Sequence, residues 1–373
     1  MDYPENSLPA VLGLLVIITL SLTIPACHSL GKDPGIDGLR ERMGTRRKEG
    51  VLRARARIGE LASFLDIPNL DAAARGGIPV ASAAWWLDGN ATPDAKSSTA
   101  ALRAALSAPV DVLVIPALPV PWLIDGTLEL LDGPREIILE PGCVIAAAAG
   151  AFKETNASLI KIGTGRTRLI SGYGATLSMR GDDYRSKDYA PSQWRHGLEL
   201  RSVAGLVVEG LEIRDTGGDG VYVGEGKNKM PCSGLVLRDL ILEANHRQGI
   251  SVISANGFLM EYCRVAGTKG TPPQAGIDFE PNAGTWGFER CVIGSSVFER
   301  NKGAAMHVHL VKLSADRKVD IVVRDSVLVG SPLALWIRGV PKGLTGTIDI
   351  GETQVRGLVT IKQTSTFSVR RER

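Results

Sequence analysis

A chain of 373 residues with a net charge of +3, 44% hydrophobic and 22% charged residues belongs with globular proteins, not disordered ones. It is long enough for two average domains or for one elongated solenoid or barrel. So small a positive excess, without a basic-aromatic platform, argues against a nucleic-acid partner. The 43 glycines, set against 7 Phe and 6 Tyr, point to many short strands joined by tight turns.

Residues 8–26, LPAVLGLLVIITLSLTIPA, carry no charge and read as a secretory hydrophobic segment or a membrane anchor. Ile24-Pro25-Ala26-Cys27 has the form of a bacterial lipobox with Cys27 as the lipidated residue. Two features depart from that pattern: Pro25 itself, and the acids Asp2 and Glu5 where a signal peptide carries Lys or Arg. Residues 1–27 are therefore expected to export the chain to the cell envelope, periplasmic or at the surface, held to the membrane by lipid or by an uncleaved helix. Residues 28–78 are polar and Arg-rich, as in LRERMGTRRKEGVLRARARIGELASFL, and read as a partly helical linker. Its Arg run could touch anionic lipid, but a solvated helix face is the simpler expectation.

Past Cys27 the chain holds Cys143, Cys232, Cys263 and Cys291. An even count in an exported chain invites disulfides. The motif YCRV, however, puts Cys263 where other repeats carry Leu or Ser facing the core, as small buried thiols often do. No essential disulfide is expected.

SSTAALRAALSAP at 97–109 reads as an amphipathic helix opened by Ser or Thr caps, placed to close the end of a stack of strands. The segments VDVLVIPALPVPWLIDGTLELL, ILEPGCVIAA, LIKIG and TRLISGYGATLSM follow as early coils. From about residue 197 a unit of strand, loop, strand and turn recurs. Aligning GLEIRDT, DLILEAN, YCRVAGT, SVFERNK and SVLVGSP puts Leu211, Leu240, Cys263, Ser296 and Ser326 in one inward column. Thr216, Asn245, Thr268, Asn301 and Ser331 then fall in a turn column, suited to hydrogen bonds along a stack. Repeats that cannot bury a face alone and stack into one core make a β-solenoid. Residues 79–365 are assigned to it, with 366–373 a basic tail and the whole chain a monomer.

SSTAALRAAL, the IP-containing strand after it and GYGATL resemble the opening of pectate-lyase-like right-handed parallel β-helix proteins. NHRQGISVISANGFLMEYCRVAG resembles rungs of mannuronan C-5 epimerases. The resemblance covers residues 80–360 and implies an all-β fold, a right-handed parallel β-helix with an N-terminal capping helix. It implies a polysaccharide substrate without fixing the chemistry, since hydrolases, lyases, epimerases and tailspikes share this scaffold.

Stacking the first strands in register, GLELR, GVYVG, GISVIS, GIDFEP and AMHVHL, gives outward pairs Glu199/Arg201, Tyr222/Gly224, Ser251/Ile253, Asp278/Glu280 and His307/His309. Rungs lie about 4.8 Å apart, which sets two carboxylates beside two imidazoles, with Trp336 and Arg338 as a further rung. The turns entering these strands add Arg195-His196, Asp219 of GGDG, and His246-Arg247-Gln248. Four of the five histidines thus gather on or beside one face. Each element has a plainer reading: the acids as a surface charge cluster with Arg247 or His307, GGDG as a turn, Asn245 as a ladder residue, Trp194 and Trp286 as core plugs. Their convergence favours a polar groove.

Three chemistries stay open. Paired-carboxylate glycoside hydrolysis, placed first, would use Asp278 and Glu280, their Cα atoms about 6.5–7 Å apart, with Asp219 as an alternative partner. Elimination or C5-epimerisation of a uronate would take Arg247, Tyr222 or His246 as base. Asp219, Asp278 and Glu280 could then hold Ca²⁺; otherwise no cofactor is expected. The resemblance in NHRQG favours this class, because the epimerases keep an Arg there. The third is a non-catalytic polysaccharide-binding solenoid. The catalytic candidates are Asp278, Glu280, Asp219, His246 and Arg247. The substrate-binding candidates are Tyr222, His307, His309, Arg195, His196, Trp194 and Arg338.

Overall fold

The structure, a computed structural model, describes residues 34–371 apart from 76 and 88–91. The uncharged run at 8–26, Cys27 and His28 lie outside the described residues. Among the described residues no helix is long and apolar enough to cross a membrane.

The chain winds as a right-handed parallel β-helix. One 11-stranded sheet runs from Val80–Ser82 to Phe367–Arg371. Two further ladders are joined by the long strand Val327–Arg338, whose halves belong one to each. Alternation drives the fold: with one face of each strand turned inward, apolar residues two apart stack rung on rung. One such column, Leu198, Val221, Ile250, Ile277, Met306 and Leu335, is almost wholly buried. Each side chain there contributes about 1.5–3 kcal/mol relative to exposure.

The corners carry their own order. Asp239, Tyr262, Ser295 and Asp325 recur in the left-handed region, with Gly210 ahead of them. Asp215, Ala244, Gly267 and Arg300 do the same at a second corner. Non-glycine residues cost about 1–2 kcal/mol in that conformation, so the stacked coils must hold them there. The expected turn column is present. Asn245 Oδ1 accepts from the Thr216 amide at 3.4 Å, and Asn301 Oδ1 accepts from the Thr268 amide at 3.2 Å. A second ladder of hydroxyls sits on the inward column: Ser296 Oγ accepts from the Cys263 amide, and Ser326 Oγ from the Ser296 amide, each at 3.1 Å. Cys143, Cys232, Cys263 and Cys291 are buried free thiols. Burial pushes Cys232 up to about 11 and the other three to about 12, so they pack as small hydrophobes.

The cap helix spans Ala95–Leu106, and its cap is Asp94, whose side chain accepts from the Ser97 amide at 2.7 Å, not a Ser or Thr. Its buried face includes Leu102 and Leu106. The Arg-rich segment read as a linker forms a single helix, Pro34–Leu65, lying along the outside of the coils. Ile36, Leu39 and Met43 pack with Val297 and Val327, while Leu61 packs with Val80, Val112 and Ile138. At about 1.5 Å per residue, its 32 residues span most of the stack. Arg46 grips the buried Asp239 carboxylate at 2.8 and 3.0 Å, and Arg40 meets Glu299. Arg40 and Arg46 thus reach the solenoid with their charged ends, while Arg42, Arg53 and Arg55 are exposed, as a solvated helix face expects. The segment read as a basic tail instead supplies the strand Phe367–Arg371, paired with Thr345–Ile350.

Candidate active site

The strands Leu198–Arg201, Val221–Gly224, Ile250–Val252, Ile277–Phe279 and Met306–His309 stack in the register read from sequence. Glu199, Tyr222, Ser251, Asp278, His307 and Trp336 form one outward column. Outward is not the same as open, however. The cleft on this face, about 520 Å³, is lined by Lys161, His196, Glu199, Arg201, Tyr222, Arg247 and Glu280, with Asn156, Trp194, Ile253 and Asn282 at its walls.

Inside the cleft, His196 stacks on Tyr222 with ring centres 4.9 Å apart. His196 Nδ1 accepts from the Asp219 backbone N–H at 3.0 Å and lies 3.3 Å from Asp219 Oδ2. Accepting that bond makes the ring the neutral Nε2–H tautomer, with Nε2 left for the cleft. Burial lowers the pKa of His196, outweighing the upward pull of Asp219 and Glu199. Burial raises the Tyr222 phenol despite Arg201, so the hydroxyl keeps its proton. Arg201 sits 4.3 Å over the Tyr222 ring, reaches its hydroxyl at 3.4 Å, and donates to Glu199 at 2.6 Å. Burial alone would raise Glu199, but the Ser158 hydroxyl and Arg201 hold it below the usual carboxylate range. Arg247 donates to Glu280 at 2.8 Å and to Ser251 at 3.3 Å, and lies 3.6 Å from Asp219. Burial would likewise raise Glu280, but Arg247 outweighs it and the group is lowered. Among the described residues the Lys161 side chain has no ion-pair or hydrogen-bond partner, and it lines the cleft.

The other expected residues fall elsewhere. Asp278 is 0% exposed: its Oδ2 accepts from Gln248 Nε2 at 2.6 Å and its Oδ1 lies 2.9 Å from His307 Nδ1. A carboxyl covered in this way cannot reach a sugar, so Asp278 is not an acid open to substrate. His307 is buried with it, and Arg338 Nε donates to its Nε2 at 3.0 Å. His309 is 3.6 Å from Glu280, outside the cleft lining. Arg195 is a correction too: its guanidinium is buried and donates to the carbonyls of Phe152, Lys153 and Ala190, tying loops together. His246 points away from the cleft, its ring between Arg185 and the Thr271 hydroxyl. Trp194, 47% exposed, does line the cleft. Trp286 is engaged by the Lys229 carbonyl and Arg317 and does not. The acids offered to Ca²⁺ do not fit it: Asp219 and Glu280 converge on the Arg247 cation, and Asp278 is bonded to Gln248. Among the described residues no group of three or more His, Cys, Asp or Glu is arranged to hold a metal.

Sequence reading passed over Lys161, Asn156 and Asn282, and placed Glu199 and Arg201 on the face without giving them a role. Alternation in LIKIG already turned Lys161 outward, and its register partner is Glu199.

No protein-family model matches the chain. A 181-residue stretch is 24% identical to the uncharacterized protein YclG of Bacillus subtilis (strain 168), covering 43% of this chain and 30% of that protein. The chain therefore spans well under two thirds of that relative. Among solved structures it is similar to endo-xylogalacturonan hydrolase from Aspergillus tubingensis, at 13% identity, TM-score 0.46, and 79% and 76% of the two chains. It is also similar to an alginate lyase from Paenibacillus sp. str. FPU-7, at 14% identity, TM-score 0.44, and 78% and 99%. The A-module of a mannuronan C-5 epimerase from Azotobacter vinelandii gives 12% identity, TM-score 0.40, and 78% and 91%. These likenesses concern the fold.

Proposed function

We propose that this β-helix acts on an acidic polysaccharide and cleaves it by elimination, not hydrolysis. The observation that carries the reading is His196, backed by the buried Asp219 and stacked on Tyr222 between Arg201 and Arg247. Hydrolysis needs one protonated and one ionised carboxyl, both reaching the sugar. Here Asp278 is covered, and Arg201 and Arg247 hold Glu199 and Glu280 as carboxylates.

Elimination needs cations near the sugar carboxylate, which make the adjacent C5 proton more acidic, with a base and an acid within reach. Lys161, Arg201 and Arg247 supply the positive charge. To take the C5 proton at Nε2, His196 gives its Nε2 proton to solvent and takes one from solvent at Nδ1, where Asp219 Oδ2, 3.3 Å away, accepts it in place of the bond from the Asp219 N–H. The C4–O bond breaks as the C4–C5 double bond forms, and the neutral Tyr222 phenol gives its proton to the departing oxygen. With the two rings stacked on each other, their centres 4.9 Å apart, we take both transfers from the same side of the sugar. Epimerisation would need a donor on the opposite side, so elimination is preferred. We place the reaction outside the cytoplasm, on the strength of the uncharged run at 8–26.

Incubating the purified protein with polyuronates and neutral glucans, reading both reducing ends and ultraviolet absorbance of unsaturated ends, tests this. Elimination gives both signals, on polyuronates alone. Hydrolysis gives reducing ends only, and a binding module gives neither.

A further inference from the structure

Gln248, Asp278 and His307 are almost wholly buried, yet none lines the cleft. Buried polar groups are costly unless paired, and the pairings here form one directed chain. Arg338 Nε donates to His307 Nε2 at 3.0 Å. An arginine has no acceptor, so His307 carries its ring proton on Nδ1, 2.9 Å from Asp278 Oδ1. Asp278 Oδ2 accepts from Gln248 Nε2 at 2.6 Å, and Gln248 Oε1 accepts from the Ala275 amide at 2.7 Å. Both ends of the Gln248 side chain are thereby clamped. Its backbone N–H then donates to Asp219 Oδ1 at 3.2 Å, which leaves Oδ2 facing His196. Arg247 lies beside this chain, 3.6 Å from Asp219 and bonded to Glu280.

We propose that Gln248 and Asp278 are positioning residues for His196. They fix the Asp219 turn so that its N–H holds the resting imidazole as one tautomer in one position, with Oδ2 placed to accept a proton at Nδ1 when the ring acts as base. The proposal rests on His196 being the proton acceptor, but its geometric content concerns the resting protein and can be read there. The charged and titratable groups facing His196 are Asp219, Glu199, Arg201 and Arg247, with Tyr222 stacked on it. Gln248 touches the ring only through Asp219.

Gln248→Met keeps the bulk and removes both side-chain bonds. Asp278→Asn must set an NH₂ group against either the Gln248 amide or the His307 N–H. Ser296→Ala is the control, since it deletes a buried ladder bond that shares no residue with this chain and should lower stability alone. In protein labelled with ¹⁵N-histidine, the His196 signals are identified by their loss in His196→Gln. The wild type should show a single neutral Nε2–H tautomer. Gln248→Met and Asp278→Asn should shift the Nδ1 resonance toward the tautomer-averaged position, while Ser296→Ala leaves it in place. On a turned-over polyuronate, both variants should lower kcat by about 10- to 100-fold with KM little changed, the signature of a misplaced catalytic group. A Gln248→Met chain that does not fold is replaced by His307→Leu, which breaks the chain at its far end. An unshifted His196 resonance in the folded variants, or a shift of the same size in Ser296→Ala, overturns the proposal. A shift in protein that turns over no polyuronate supports the positioning role and refutes the reaction assignment instead.

Discussion

Asp278 and Glu280 stand two residues apart on the same outward side, yet their acidities move in opposite directions. Burial raises Asp278 despite His307, whereas Arg247 overcomes burial and lowers Glu280. Strand alternation made the shared direction legible from sequence. The difference in cover was not legible, because Gln248 and His307 arrive from the two neighbouring rungs. Relief of repulsion between two exposed acids would have made Asp278→Asn harmless to stability. With the group buried and hydrogen-bonded, the same change should cost about 1–3 kcal/mol through one misdirected hydrogen bond, measured by urea unfolding. The pH dependence follows from the lowered acids Glu199, Glu280 and Glu299. A carboxyl with a depressed folded pKa contributes stability that is present above its unfolded value and lost as pH falls through the folded one. His196, lowered by burial, acts in the same sense below its ordinary range. Asp278, raised, acts oppositely and loses stability as pH rises. The balance predicts destabilisation on acidification. Unfolding of Glu299→Gln across a pH series should differ from wild type most above the ordinary glutamate range and converge with it in acid. A constant difference at every pH would contradict this origin.

At the scale of elements, the β-coils were readable because their signals are local: apolar alternation, a Thr/Asn/Ser column and the cap helix. The role of the helix Pro34–Leu65 was not. Arg42, Arg53 and Arg55 are exposed as a solvated face expects, but Arg46 is not free, because its partner Asp239 lies 193 positions beyond it, at a corner that exists only once the coils have stacked. Asp239 is buried, adopts a left-handed conformation, and also accepts from the Tyr173 hydroxyl at 2.7 Å. Arg46→Met should therefore strand a buried carboxylate and cost about 3 kcal/mol. The exposed Arg42→Met should change stability by no more than about 0.5 kcal/mol. Chemical denaturation of the two variants side by side checks this, and equal effects would mean that the helix merely rests on the coils.

The whole molecule is a one-dimensional stack in which each coil leans on its neighbours. Its N-terminal end is closed by the helix Ala95–Leu106, while the strand Phe367–Arg371 ends its sheet with Arg370 and Arg371 along the edge. Charged residues on an open edge discourage pairing with other chains. Hydrogen exchange should accordingly be slowest in central strands such as Leu198–Arg201 and Ile277–Phe279, and fastest in Phe367–Arg371. The cleft sits on these central strands, with Glu199, Arg201 and Tyr222 in its lining. The most direct test of its chemistry compares wild type with Tyr222→Phe on polyuronates, following ultraviolet absorbance of unsaturated ends. Elimination through Tyr222 predicts rising absorbance with the wild type and a rate lower by about 100-fold or more in the variant, with thermal stability retained. New reducing ends without absorbance, or full activity in Tyr222→Phe, would contradict it.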